Sequence, residues 1–271
     1  MRRDIIKDII TSSNNDAVKY LKKLYKTSKR KREGKFVLEG YRLIDEALKI
    51  GADFNFLFMT PEFKKSPKGQ KIAENLSRET NLKIISDNLL EEIADTVNPQ
   101  GIIAIVEEIE YDLDTFKKNS NNILILDRVQ DPGNVGTLIR TAAAAGFDGI
   151  ITLKGSVDIY NLKVLRATMG AIFSIPIIDK MEIDGLKEFI HNAEKEFQVI
   201  CAEPSASDYY HETEYKKPLM LVIGNEAHGV RDELIKLSNL LVKIPLNNNI
   251  ESLNAAMAGG ILLYNIMYSN L

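Results

Sequence analysis

"LILDRVQDPGNVGTLIRTAAAAGF", residues 124–147, passes from an apolar strand, through a turn bearing Gly and Asp, into an alanine-rich helix. The run ILILD (123–127) is apolar up to its terminal aspartate, as in strands buried on both faces of a parallel sheet. The helix 134–145 stops at Gly146. A strand, a glycine-bearing turn and a helix in that order commonly hold a nucleotide. Gly133 and Gly136 nevertheless form neither G-x-G-x-x-G nor G-x-x-x-x-G-K-[ST]. In place of either fingerprint, Arg140 sits in the first helical turns.

Working outward, strands are expected at GIIT (149–152), FQVICAE (197–203), LMLVIG (219–224) and LLVKIPL (240–246), with helices over 184–196, 230–238 and 251–268. The stretch 153–178 reads as a loop. Strands alternating with helices imply an α/β fold with a mostly parallel sheet and right-handed crossovers. Sites in such sheets lie beyond the carboxyl ends of the strands, here after Asp127, after Ile223 and after Pro245. Polar turns occupy all three places: DRVQDPGNVGTLIR (127–140), IGNEAHGVRDEL (223–234) and IPLNNNIESLNAAMAGG (244–260). Taken singly, each has a structural reading. Gly224 and Gly229 suit a strand end and a turn, and Ser252 suits a helix N-cap.

The N-terminal part alternates as well. A helix over 15–27 spaces Val18, Leu21, Leu24 and Tyr25 at helical intervals. KFVLEG reads as a strand, and YRLIDEALKIG as a helix stopped by Gly51. Strand 53–60, helix 68–81, strand LKIISD, short helix NLLEEIAD and strand 101–109 follow. The polar stretch 107–122 reads as a linker.

The chain has 271 residues, 45% hydrophobic and 27% charged, ordinary for a soluble globular protein of two domains or one large one. Its one cysteine, Cys201, excludes an internal disulfide framework and fits a reducing cytosol; its place at the end of an apolar strand suits a small buried hydrophobe. MRRDIIKDIITSSNND lacks the apolar core of a secretory signal. No run approaches the roughly 18–20 apolar residues of a membrane span, so a cytoplasmic protein is expected. Three histidines and one cysteine offer no metal-ligand spacing, and His228 reads as a loop residue. A net charge of −3 argues against nucleic acid, but its distribution argues the reverse. Residues 1–35 carry twelve Lys/Arg and four Asp/Glu, a balance of +8 that leaves −11 for the rest. The densest part, KKLYKTSKRKREGK (22–35), contains Lys22, Lys23, Lys29, Arg30, Lys31 and Arg32, the electrostatic footprint of phosphate binding. A solvated face on a terminal helix is the other reading of that patch.

In this order and at these spacings, the three turns resemble the three motifs of the SpoU (TrmH-like) family of RNA ribose 2′-O-methyltransferases, in the SPOUT superfamily. DPGNVGTLIRTAAAAGF (131–147) resembles the first motif, with Asn134 and Arg140. LVIGNEAHGV (221–230) resembles the second through Gly224 and Glu226. IPLNNNIESLNAAMAGGILLY (244–264) resembles the third, including Ser252, Leu253 and Asn254. NLKVLRATMGAIFSIPI (161–177) is similar to the family's loop before its knot. FVLEGYRLIDEAL (36–48) and NPQGIIAIV (98–106) are similar to its L30e-like RNA-binding domain. The resemblance covers nearly the whole chain.

What it implies is an α/β SPOUT catalytic domain with a C-terminal trefoil knot over 122–271, a linker over 107–121, and a small L30e-like domain over 1–106. The implied cofactor is S-adenosylmethionine, bound bent in the knot largely by backbone atoms. The matching positions are Gly224, Ile244 and Leu253, with Ala202, Leu246 and Asn254 as neighbours. Lacking Cβ, Gly224 would allow close approach to the ligand, and Ile244 and Leu253 suit an adenine pocket. The turn after 123–127 is then left for RNA. Transfer of a methyl group from a sulfonium to a ribose 2′-OH needs the oxygen in line and its proton removed. The resemblance implies that Arg140 is catalytic, either as general base or as a clamp on the adjacent phosphate and the developing alkoxide. Asn134 would orient Arg140 or the ribose, while Glu226, Ser252 and Asn254 shape the pocket and Arg166 makes a second phosphate contact.

Two positions depart from the family pattern. Glu226 is followed by Ala227 rather than glycine, and Asn247, Asn248 and Asn249 stand where a glycine often precedes Glu-Ser-Leu-Asn. The expected activity is S-adenosylmethionine-dependent 2′-O-methylation of 23S rRNA by a homodimer formed through the knotted domain, without metal or membrane. The alternatives are a tRNA 2′-O-methyltransferase and a non-catalytic RNA-binding or ribosome-assembly factor. Base methylation would need a further catalytic acid or base, and none is apparent.

Overall fold

Apolar side chains are concentrated in the strands, and those strands assemble into two separate sheets. The computed structural model describes residues 9–248 and 250–269 and divides into two units, Met1–Ile109 and Glu110–Leu271. Arg2, Arg3 and Lys7 of the basic N-terminal stretch, and Asn249, lie outside the described residues.

The first unit runs α1 (Asp16–Leu24), α2 (Thr27–Glu33), β1 (Lys35–Glu39), α3 (Tyr41–Lys49), β2 (Phe54–Met59), α4 (Pro61–Lys65), α5 (Pro67–Asn75), β3 (Asn81–Ile84), α6 (Asp87–Ile93) and β4 (Ile102–Glu107). Its sheet has the order β1-β4-β2-β3, with β4 antiparallel to both neighbours and β2 parallel to β3. The helix expected over 15–27 ends at Leu24, because Lys26 is extended (φ −85, ψ 126), and α2 then begins anew. That break turns Arg30 inward. Its guanidinium donates to the carbonyls of Leu24 (3.1 Å) and Tyr25 (2.9 Å) and to the Thr27 hydroxyl (3.0 Å), and the residue is 3% exposed. Arg30 thus satisfies carbonyls left open at the end of α1 and is not a surface group for RNA. The helix expected over 68–81 ends at Asn75, where Leu76 turns extended.

The second unit contains α7 (Leu113–Asn119), β5 (Asn122–Leu126), α8 (Pro132–Ala144), β6 (Gly149–Leu153), α9 (Leu162–Thr168), β7 (Ile177–Met181), α10 (Ile183–His191), β8 (Gln198–Ala202), β9 (Asp208–Tyr209), β10 (Leu219–Ile223), α11 (Asp232–Leu237), β11 (Leu240–Lys243) and α12 (Ala255–Tyr268). All seven strands are parallel, in the order β7-β6-β5-β10-β8-β11-β9. The chain moves outward through β5, β6 and β7. It then builds the other flank, where β10 inserts between β5 and β8, and β11 between β8 and β9. As a result the carboxyl ends of β5, β10, β8 and β11 are consecutive along one sheet edge.

Two glycines set the layer of helices on one face of this sheet. A Cβ on Gly136 of α8 would lie 2.4 Å from the Ala167 Cβ of α9, and one on Gly259 of α12 would lie 2.3 Å from Leu138 Cδ2 of α8. Only glycine lets these helices approach so closely, and α8 is held between the other two. On the opposite face, Phe116, Leu186, Phe189 and Phe197 pack with Val199, Met220 and Val222 into one core.

Several elements differ from the expectation. The polar stretch 107–122 holds α7, which a single buried residue, Phe116, anchors (4% exposed); one apolar side chain in two turns gives too little periodicity to read. The loop 153–178 holds α9, a 3-10 turn at Ala171–Phe173 and the start of edge strand β7. The last strand ends at Lys243 rather than 246, and the last helix begins at Ala255 rather than 251. Its N-cap is Asn254, not Ser252, and the Asn254 side chain accepts from the N–H groups of Ala256 (2.9 Å) and Met257 (3.1 Å).

Candidate active site

Asp127 directly follows β5 and is fully buried. Its carboxylate accepts from the Arg231 backbone N–H (2.9 Å), from Arg231 Nε (2.7 Å), and from Arg128 Nε and Nη2 (both 3.2 Å). A buried carboxylate needs such company, because desolvation without partners would neutralise or expel it. The Arg128 carbonyl in turn accepts from Asn225 Nδ2 (2.8 Å). These bonds fasten the loop after β5 to the loop after β10.

The loop after β10 is a tight hairpin. Asn225 and Gly229 exchange backbone hydrogen bonds (3.0 and 2.9 Å), and the Asn225 side chain accepts from the N–H groups of Ala227 and His228. The fold-back gives Gly224 a structural reason of its own. A Cβ there would lie 2.3 Å from Gly229 C and Val230 N, so the chain itself already requires the glycine. Gly229 takes the left-handed conformation (φ 65) and Ala227 does not; the departure at Ala227 therefore costs no strain. In the loop after β11, Asn248 adopts φ 59, a conformation asparagine tolerates.

The hairpin presents Glu226 to the start of α8. Its carboxylate accepts from the backbone N–H groups of Gln130 (3.2 Å) and Asp131 (3.1 Å) and from Asn134 Nδ2 (3.0 Å). Asn134 Oδ1 accepts from Asn254 Nδ2 (2.8 Å). Burial alone would raise the Glu226 pKa, but the Asn134 amide and the backbone donors outweigh it and hold the carboxyl below its usual range. The start of α8, a concentration of unpaired N–H groups, favours the same anion. The three turns thus meet in one chain of hydrogen bonds running from Asn254 through Asn134 to Glu226.

Beside this chain lies a cleft of about 380 Å³, open along the carboxyl ends of β8, β10 and β11. Ala202, Gly224, Ile244, Leu246 and Leu253 line it, as do Glu226 and Ser252. Asn254 and Asn134 reach it through Glu226. Arg140 and Arg166 do not line it. Arg140 is exposed, on the same side of α8 as exposed Gly133 and Thr137, and no hydrogen bond or ion pair engages it among the described residues. The walls combine an apolar side (Ile244, Leu246, Leu253) with the carboxylates Glu203, Glu226 and Glu251. That pairing suits a flat apolar ring linked to hydroxyls and a cationic centre.

Asp127, Arg128, Arg231, Asn225 and Glu203 were not singled out by sequence. One signal was available, an aspartate closing an otherwise apolar buried strand. Cys201 is buried, its thiol pushed up to about 12 by burial, as an inert core residue requires. In the first unit, Lys22 pairs with Glu92 (2.7 Å), Lys29 with Glu33, and exposed Arg32 also with Glu33 (3.7 Å), whereas Lys23 and Lys31 are exposed. Among the described residues no group of three or more His, Cys, Asp or Glu could hold a metal ion, and no helix is long and apolar enough to cross a membrane.

Residues 121–264 match the SpoU rRNA Methylase family, and residues 15–104 match the MRM3-like substrate binding domain. The chain is 32% identical to the 23S rRNA (guanosine(2553)-2′-O)-methyltransferase RlmP of Bacillus subtilis, over 95% of this chain and 98% of that protein. It is 34% identical to an uncharacterized tRNA/rRNA methyltransferase of Synechocystis sp., over 94% and 92%. The AdoMet-bound rRNA methyltransferase of Sinorhizobium meliloti has the same architecture, with a TM-score of 0.88 and 31% identity over 97% of this chain and 98% of that one.

Proposed function

The chain belongs to the SpoU rRNA Methylase family, and from that membership we propose that it methylates a ribose 2′-hydroxyl of 23S rRNA. S-adenosylmethionine is the methyl donor and RNA the acceptor. The observation that carries the site assignment is the Asn254–Asn134–Glu226 chain beside a cleft with one apolar wall.

The cleft suits the donor. Ile244, Leu246 and Leu253 offer an apolar slot for a purine, and the carboxylates Glu203, Glu226 and Glu251 face a cleft that must take a sulfonium. When bound, the cofactor supplies an electrophilic methyl group. The protein's part is to place the acceptor oxygen and manage its proton. Arg140, exposed and unengaged, is free to grip a phosphate and the oxygen that gains negative charge. A guanidinium stays protonated at any working pH, which favours this clamp over a role as general base. Asn134 and Glu226 keep the start of α8 against the hairpin and so fix where Arg140 emerges. Arg166, on α9, which packs on α8, is a second phosphate contact.

In the first unit, Lys23 and Lys31 are exposed cations suited to RNA phosphates; Lys22, Lys29 and Arg32 join them by exchanging carboxylate partners for phosphate. A homodimer fits α12, which is apolar on both sides: Leu262, Leu263 and Ile266 are buried while Met257, Tyr264 and Tyr268 are exposed. A helix apolar all round belongs in an interior, and a second copy covers it. The trefoil knot belongs to the β10–α12 region, where β10 and β11 enter between strands already laid down. A reducing cytoplasm, where rRNA is made, is consistent with the lone buried thiol.

Methyl transfer from labelled S-adenosylmethionine to unmodified 23S rRNA and to tRNA, followed by nucleoside analysis, tests this reading. A 2′-O-methylnucleoside from 23S rRNA alone is expected. The same product from tRNA alone would move the substrate, and cofactor binding without product on either RNA would overturn the proposal.

A further inference from the structure

The cleft contains a carboxylate that neither the motifs nor the hydrogen-bond chain employs. Glu203 follows β8 and opens a turn closed by a hydrogen bond from the Ala206 N–H to its own carbonyl (3.1 Å). Its Oε1 accepts from both the Ser205 N–H (3.3 Å) and the Ser205 hydroxyl (2.9 Å), which fixes the rotation of the carboxylate. No hydrogen bond uses Oε2 among the described residues, and Oε2 lies 3.9 Å from where a Cβ on Gly229 would stand. Glu203 therefore reaches from the end of β8 toward the hairpin after β10, along the cleft it lines. One oxygen is tied down, and the other is offered.

Strand order says which part of a ligand meets it. At the open edge the sequence is β5, β10, β8, β11. Glu226 and the acceptor side sit at the β5/β10 end; the apolar slot with Ile244 and Leu246 sits just beyond β11. Neighbouring strands are about 4.8 Å apart, so β8 stands about one strand spacing from each side. In S-adenosylmethionine the ribose is the covalent link between sulfonium and adenine. We propose that Glu203 is the residue that accepts hydrogen bonds from the cofactor's ribose 2′- and 3′-hydroxyls. The assignment rests on the methyltransferase reading and adds to it a specificity element for the nucleoside. A carboxylate held by one oxygen suits a diol, and Gly229, whose Cα bears no side chain, leaves the approach clear.

The test is calorimetric titration of the wild type, Glu203→Gln and Glu203→Ala with three probes: S-adenosylhomocysteine, its 2′-deoxyribose analogue, and methylthioadenosine, which keeps ribose and adenine but lacks the amino acid. Glu203→Ala is expected to weaken S-adenosylhomocysteine and methylthioadenosine by the same factor, on the order of tenfold or more. The 2′-deoxy analogue should bind the wild type more weakly and lose little further in the variant. Glu203→Gln, which keeps an acceptor oxygen, should recover part of the loss. An unchanged melting temperature and unchanged RNA binding exclude misfolding. Loss of S-adenosylhomocysteine with methylthioadenosine unaffected would place Glu203 at the cofactor's ammonium group and overturn the proposal, as would no loss at all. A wild type that binds none of the three would instead bring down the methyltransferase reading beneath it.

Discussion

Asn134 and Glu226, 92 residues apart in the chain, are joined by a 3.0 Å hydrogen bond from amide to carboxylate. Since an ionised carboxylate only accepts, this bond fixes which way the amide faces: its NH₂ points to Glu226 and its oxygen to Asn254 Nδ2, 2.8 Å away. Asn254 in turn caps α12 with its own oxygen. One orientation thus propagates through all three turns, and reversing either amide would set donor against donor.

Linked groups fail together. Asn134→Ala removes the donor to Glu226 and the acceptor for Asn254, so Asn254→Ala in the same chain should add only the loss of the α12 cap. We expect each single variant to slow single-turnover methyl transfer and the double variant to show a coupling of about 1 kcal/mol or more. Strictly additive losses would mean that the three turns act independently.

Arg140 has no partner among the described residues, so its removal should leave the fold alone. Arg140→Ala is expected to lower methyl transfer on the order of 10²–10³-fold, as for loss of one group that stabilises developing charge, with RNA affinity and melting temperature nearly unchanged. Arg140→Lys should restore little, because an ammonium cannot form the bidentate fork. Equal loss of RNA binding and methylation, measured by filter binding and product formation on the same preparation, would reduce Arg140 to a docking residue.

The depressed pKa of Glu226 gives the stability a pH signature. A carboxyl whose folded pKa lies below the unfolded value contributes stability that is fully present above the unfolded pKa. That contribution fades as pH falls from the ordinary value of 4.5 through the folded one. Melting curves of the wild type and Glu226→Gln should therefore differ by a constant amount from pH 6 to 8 and converge as the pH falls below about 4.5. A gap that stays constant into acid would show that the ionised form gains nothing from Asn134, Gln130 and Asp131.

Most strands were readable because they are apolar runs bounded by turn residues, and the candidate site was sought where those runs ended; the polar edge strands β7 and β9 carry no such run and were not read. Glu226 and Asn254 stood out in polar turns, whereas Asn134, itself buried, was visible only through the resemblance of its turn to the family motif. Less legible was whatever depends on strand order. Nothing in LMLVIG says that β10 inserts between β5 and β8, and only that insertion makes Glu203 a neighbour of the hairpin after β10. The basic run 22–35 looks uniform as text. A break after Leu24 decides that Arg30 faces inward while Lys31 and Arg32 face water. Gly224 has a further reason that its sequence context hides, since a sequence cannot show that the chain folds back on itself five residues later.

Asp127 separates holding the site together from forming it. Fully buried between Arg128 and Arg231, it fastens the hairpin that presents Glu226. Asp127→Ala leaves Arg231 partly buried without its counter-charge, and such breakage costs on the order of 3–5 kcal/mol. Urea unfolding should register that loss as a lower midpoint. Replacing both partners with apolar residues, Asp127→Leu with Arg231→Met, removes the stranded charge and should recover most of the stability, because buried ion pairs are often matched by well-packed hydrophobes. The backbone N–H of Arg231 still loses its acceptor, so the hairpin keeps only its Asn225 and Glu226 bonds and is held less firmly. The double variant should therefore fold yet remain poor in cofactor affinity and methyl transfer. Recovery of stability and activity together would show that Asp127 serves the fold alone, and that Glu226 finds its place without it.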